Sequence, residues 1–174
     1  MLMVWLFILQ ALYFFLPAYI ANMSPVIFKW VPLFNIPIWE KKLGKHKTWR
    51  GLIIGTIVGT FVFWLQKLAY NNGFESLALI DYHDFSLMLG FFLGLGAMLG
   101  DMAESYLKRK RNIAPGEVWM PWDQLDFVFG GLLFSFFIYV PQAGVVLTLI
   151  VLSPLLHVLF NYLGYLLRLQ KNKL

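Results

Sequence analysis

Long apolar runs separated by short polar breaks organise this chain. Five stretches, near 2–21, 51–70, 85–107, 124–141 and 144–168, carry little charge. Each approaches or exceeds the roughly 20 residues a helix needs to cross a hydrocarbon core. The fourth is short and the fifth long, differences that tilt or partial exposure at the bilayer surface accommodates. A sixth stretch, PVIFKWVPLFNIPIW (25–39), is apolar as well but holds Pro25, Pro32, Pro37 and Lys29. Proline lacks the N–H that continues a helical ladder, so this stretch predicts an interfacial or re-entrant segment rather than a sixth span. The expected fold is an all-α integral membrane protein of about five transmembrane helices with two short cytoplasmic loops, forming one membrane-embedded domain over 1–174.

Composition agrees with the pattern. Of 174 residues, 60% are apolar and 13% charged, against about a quarter charged in soluble domains. The first residues, MLMVWLFILQALYFF, lack the basic n-region and cleavage site of a secretory signal, which reads as a retained first membrane helix. Without cysteine there is neither a disulfide framework nor a thiolate metal site.

The net charge of +5 changes meaning once it is mapped. Lys29, Lys41, Lys42, Lys45, Lys47 and Arg50 precede the second span, Lys108 to Arg111 follow the third, and Arg168, Lys171 and Lys173 follow the fifth. Two crossings separate each group from the next, so 13 of the 14 basic residues fall on one side. Loop 71–84, opposite, has no lysine or arginine but carries Glu75, Asp81 and Asp84. The positive-inside rule predicts an outside N-terminus and a cytoplasmic C-terminus. Topology accounts for the charge, and no nucleic-acid partner is expected.

Two glycine series have helical spacing: Gly51, Gly55 and Gly59 in the second span, then Gly90 with Gly94 and Gly96 with Gly100 in the third. They predict faces where helices approach closely. The polar residues are harder to dismiss. Asp101, Glu104, Ser105 and Lys108 share one helical face. If the helix leaves the lipid near Lys108, Asp101 lies about 10 Å deeper, where a lone carboxylate costs about 3 kcal/mol. Asp123 and Asp126 open the fourth span; the helix macrodipole accounts for the first far better than for the second. Hard oxygen ligands on two helices, with cations beside them, point to a metal–phosphate site at the cytoplasmic face. GKHKTWRG (44–51) puts Lys45, His46, Lys47 and Arg50 before a helix, either as a topology signal or as a phosphate-binding helix start. Ser153, His157 and Asn161 recur every four residues, as an interhelical hydrogen-bonding set or as substrate contacts.

The run GDMAESYLKR followed by a loop and DQLD resembles the signature of the CTP-dependent phosphatidate cytidylyltransferases, the CDP-diacylglycerol synthases. The matching positions are Gly100, Asp101, Glu104, Ser105, Lys108, Arg109, Asp123 and Asp126. The loop lacks the His-Gly-Gly element of bacterial members, Gln124 stands where arginine is usual, and the chain is shorter. These departures resemble the archaeal branch, CDP-archaeol synthase, as do Lys47 to Gly51 (KTWRG) and the set Pro154, His157 and Asn161.

The resemblance implies transfer of CMP from CTP to an unsaturated ether-lipid phosphate, 2,3-di-O-geranylgeranylglyceryl phosphate, giving CDP-archaeol and pyrophosphate at the bilayer. Mg²⁺ is the implied cofactor, held by Asp123, Asp126 and Asp101. Lys108, Arg109, Asp101 and Glu104 are the expected catalytic residues. Lys47, Thr48, Arg50, Ser105, His157 and Asn161 are the expected substrate contacts. The competing class is a small transporter or channel using Asp101 and His157 as an ion path. It predicts ionisable groups spread through the membrane depth.

Overall fold

The computed structural model describes residues 2–114 and 116–166, except the side chains of 157, 160, 161 and 163–166. All regular elements among the described residues are helices: α1 (Leu2–Phe14), α2 (Leu16–Ile27), α3 (Glu40–Leu43), α4 (Trp49–Asn71), α5 (Met88–Lys110), α6 (Trp122–Ser135) and α7 (Ala143–Leu166). The basic residues Arg168, Lys171 and Lys173 lie outside the described residues.

The first apolar stretch is broken. Helices α1 and α2 meet at a 50° bend, and the cause is Pro17. Having no N–H, Pro17 cannot bond the carbonyl four residues back, that of Tyr13. The Gln66 side chain of α4 fills the gap, its Nε2 donating to the Tyr13 carbonyl at 2.5 Å. A second proline, Pro25, sits inside α2 and leaves the Ala21 carbonyl without its usual donor; the Ser24 hydroxyl donates to it at 2.8 Å. Both repairs answer the rule that backbone polar groups in an apolar surround need a partner.

Helix α4, at 23 residues, is about 34 Å long. It is the one unbroken helix among the described residues both long and apolar enough to cross a bilayer, and the bent α1–α2 pair makes a second such unit. Helix α5 has the same length but carries the charged residues of its last three turns. Helix α6 stops at Ser135 rather than near 141, so its 14 residues extend only about 21 Å. The segment 28–39 is non-helical apart from a bridge between Pro37 and Thr48. It exposes Trp30, Leu33, Phe34, Ile36 and Trp39.

The helices pack most extensively as α5 on α6, α4 on α5 and α2 on α4. Glycine makes the first two contacts possible. A Cβ on Gly59 would lie 2.7 Å from the Gly94 Cα. On α5, a Cβ at Gly100 would overlap the Asp126 carbonyl, and one at Gly130 of α6 would overlap the Gly96 carbonyl. Gly51 differs, since a Cβ there would meet nothing closer than 3.6 Å. At the end of the bundle remote from the KTWRG loop, buried Tyr82 plugs the core against Tyr13, Phe63 and Tyr70. Lys67, the one basic residue outside the three groups, is spent here: its Nζ donates to the Tyr82 and Phe85 carbonyls at 2.5 Å each.

Candidate active site

The α5–α6 glycine crossing puts the last turns of α5 beside the first turns of α6. Asp101 and Glu104 of α5 and Asp126 of α6 each direct one carboxylate oxygen into a common space, all three within 4.8 Å of one another. Asp126 also accepts from the Phe127 amide at 2.5 Å. Asp123 is directed elsewhere. It accepts from the Trp119 amide at 2.9 Å and pairs with the Lys108 ammonium, also at 2.9 Å. Lys108 lies 3.1 Å from Glu104 as well. With its side chain only 9% exposed, Lys108 is an interior ion-pair partner rather than a surface anchor.

Loop 44–48 supplies the third wall. Thr48 caps α4, its hydroxyl accepting from the Gly51 amide at 3.2 Å. That cap, with the pairing of 34–38 against 47–50, turns the Lys47 side chain inward. Its Nζ donates to both Asp101 carboxylate oxygens at 2.6 Å. Burial alone pushes the Lys47 ammonium down, but the Asp101 carboxylate, with Asp126 and Glu104 behind it, more than reverses this and leaves it raised.

The other expected residues fall in several places. Ser105 is buried and its hydroxyl faces Glu104 at 3.4 Å. Arg109 turns away from the carboxylates and donates to the Ile113 carbonyl, tying down the turn after α5. Arg50 clasps the preceding loop through the Lys29 and Val31 carbonyls at 2.9 and 2.6 Å. The side chains of His157 and Asn161 lie outside the described residues, while Ser153 on the same helix bonds Tyr19 of α2 at 2.6 Å. Gln124, at the position where the resemblance led to an expectation of arginine, is buried, and its Oε1 has no hydrogen-bond partner among the described residues.

The charge balance sets the chemistry. Four carboxylates (Asp101, Glu104, Asp123, Asp126) surround two ammonium groups (Lys47, Lys108), leaving a formal charge of four minus two, or two negative. Buried Glu104 Oε1 and Asp123 Oδ1 sit 3.1 and 2.9 Å from the Lys108 ammonium and have no other polar partner among the described residues. An all-carboxylate donor set with lone pairs to spare fits a hard divalent cation.

Comparison with known proteins supplies the family. The family model described as CarS-like, CDP-archaeol synthase, matches residues 3–173. The CDP-archaeol synthase of Pyrococcus furiosus is 36% identical over 162 residues, covering 91% of this chain and 93% of that one. Those of Thermococcus kodakarensis and Methanocaldococcus jannaschii are 34% and 33% identical, over 91% and 89% of this chain and 91% and 90% of their own lengths. A solved structure described as an intramembrane enzyme for archaeal membrane lipids biosynthesis superposes with a TM-score of 0.70 at 32% identity, covering 88% of this chain and 94% of that chain. The transporter alternative finds no support in these relatives, and it fits poorly with carboxylates gathered at one end of the bundle. With a family match over nearly its whole length, the chain belongs to the CDP-archaeol synthase family of membrane enzymes.

Proposed function

We infer that this chain transfers CMP from CTP to a prenylated glyceryl phosphate lipid, with 2,3-di-O-geranylgeranylglyceryl phosphate as the substrate. A lipid phosphate oxygen attacks the α-phosphorus of CTP, the bond from that phosphorus to the bridging oxygen breaks, and pyrophosphate leaves. The lipid phosphate is already an anion at neutral pH, so the reaction needs no strong general base. The difficulty is bringing two polyanions together, and catalysis here is positioning and electrostatics.

Asp101, Glu104 and Asp126 would hold Mg²⁺, which supplies charge neutralisation and orientation of the triphosphate when bound. Asp123, expected from the resemblance as a ligand, supports the site by orienting Lys108. Lys108 and Lys47 offer ammonium groups to phosphate oxygens. Arg109 acts from the turn it holds, and Arg50 shapes the loop that carries Lys47 and Thr48. Ser105 fixes the Glu104 carboxylate. His157 and Asn161, whose side chains lie outside the described residues, are proposed as substrate contacts on the family resemblance alone.

The site lies at the inner ends of α5 and α6, on the cytoplasmic side, with five membrane crossings: the bent α1–α2 pair, α4, α5, α6 and α7. Each substrate then stays in its own solvent, CTP in the cytoplasm and the lipid tails in the leaflet. The exposed apolar segment 28–39 lies at this end of the bundle. Its Trp39 ring is covered by the Lys42 ammonium at 4.0 Å, a pairing suited to the headgroup region. The observation that carries the reading is the convergence of three carboxylates between two cation-bearing elements. The test is pyrophosphate release by the purified chain in detergent with CTP and Mg²⁺. Release is expected only when the lipid phosphate is added, and release independent of that lipid, or none at all, overturns the reading.

A further inference from the structure

Lys47 and Lys108 are both ammonium groups among carboxylates, but they are held differently. Lys108 lies between Glu104 and Asp123, at 3.1 and 2.9 Å, with a side chain 9% exposed. Among the described residues Lys47 has one direct partner, Asp101, and uses both of its oxygens. Its side chain is 21% exposed, and its backbone is fixed independently by the Ile38 amide donating to the Lys47 carbonyl at 2.9 Å. The loop is thus tied by contacts that do not depend on which partner the Lys47 ammonium holds. Lysine suits a change of partner, being a compact charge on a flexible stem rather than a rigid fork.

Asp101 is also one of the three residues whose oxygens converge. A divalent cation ligated by Asp101 would share an oxygen that Lys47 now holds, and the two positive charges compete for it. We propose that Lys47 is a displaceable counter-ion of the carboxylate cluster: a divalent cation takes Asp101 from it, and the freed ammonium turns to the phosphate oxygens of the nucleotide. Lys47 thereby couples metal binding to nucleotide binding. The inference rests on the cluster being a divalent-cation site, as proposed above.

Two opposite effects of one substitution follow. Removing the Lys47 charge removes a competitor a few ångströms from a doubly charged ion, which tightens metal binding, by about tenfold or more even at the dielectric of bulk water. The same change removes a phosphate partner and raises the KM for CTP. A merely structural Lys47 would on removal weaken both.

The experiment titrates Mn²⁺ alone into the full chain in detergent, with free Mn²⁺ read by electron paramagnetic resonance. Wild type, Lys47→Gln, Lys47→Met, Lys47→Arg and Asp126→Asn are compared, with folding checked by circular dichroism. At least one neutral variant is expected to bind Mn²⁺ about tenfold more tightly, Lys47→Arg to bind no more tightly than wild type, and Asp126→Asn to lose the site. Neutral variants that bind Mn²⁺ no more tightly than wild type, while Asp126→Asn still loses it, overturn the counter-ion role and leave the metal site standing. Loss of folding in both neutral variants, with Lys47→Arg folded, marks Lys47 as a fixed structural charge and likewise overturns the role. Mn²⁺ binding unchanged by Asp126→Asn overturns the metal site and this inference with it.

Discussion

Asp126 and Asp123 are three residues apart on one helix, yet their surroundings differ. Asp126 faces Asp101 and Glu104 across the α5–α6 crossing, while Asp123 is paired with Lys108 and the Trp119 amide. Asp126→Asn is therefore expected to leave the helical content and thermal unfolding near wild type and to reduce CMP transfer by about 10²-fold or more, the scale of losing a preorganised electrostatic group. Activity within a few-fold of wild type would remove Asp126 from the site. Lys108→Met should act in the opposite balance. It strands Glu104 and Asp123 without their cation, and breaking a buried pair from one side costs about 3–5 kcal/mol. A large fall in the unfolding temperature is expected together with lost activity. Arg109→Ala removes a donor to the Ile113 carbonyl, so it should slow turnover more than it lowers the amount of folded protein, compared by initial rate against detergent-extracted yield.

Glycine sets where the helices can meet, and so how far apart the carboxylates stand. A methyl group at Gly130 would overlap the Gly96 carbonyl, and one at Gly100 would overlap the carbonyl of Asp126 itself. Gly130→Ala must push α5 and α6 apart, at about 1–3 kcal/mol, and a displacement near 1 Å at the site costs about 10²-fold in rate. Gly51→Ala is the control, since the added atom meets only ordinary contacts; its unfolding temperature and activity should stay near wild type. Equal effects from the two substitutions would refute the close-approach argument. The glycine spacing was legible in the chain, as was the shared face of Asp101, Glu104 and Lys108, because a single helix repeats every 3.6 residues. The partner of Asp101 was not, because Lys47 is 54 residues away and reaches it only through the packing of α4 on α5. The break after Phe14 had a sequence signal in Pro17, but an apolar run hides a bend. The donor that makes the bend tolerable, Gln66, sits 53 residues from the carbonyl it bonds.

Across the whole molecule, charge is divided between two ends. The KTWRG loop, α3 and the turn after α5 gather at one end, linked by Lys47 to Asp101 and by Lys42 over Tyr106 at 5.8 Å. The other end carries Glu75, Asp81 and Asp84, with Lys67 consumed by two backbone carbonyls. Positive charge is retained on the cytoplasmic side during insertion, and CTP is a cytoplasmic polyanion that a lipid bilayer excludes. Under the proposed function, insertion and catalysis call for the same orientation, with the carboxylate cluster inward. The chain has no cysteine, so single cysteines report the orientation directly. Glu75→Cys should react with a membrane-impermeant maleimide in intact cells, whereas Lys45→Cys, exposed but at the opposite end, should react only after the membrane is opened. Labelling of Lys45→Cys in intact cells would place the cluster on the side without CTP, and no arrangement of lysines and carboxylates could then supply the reaction with its nucleotide.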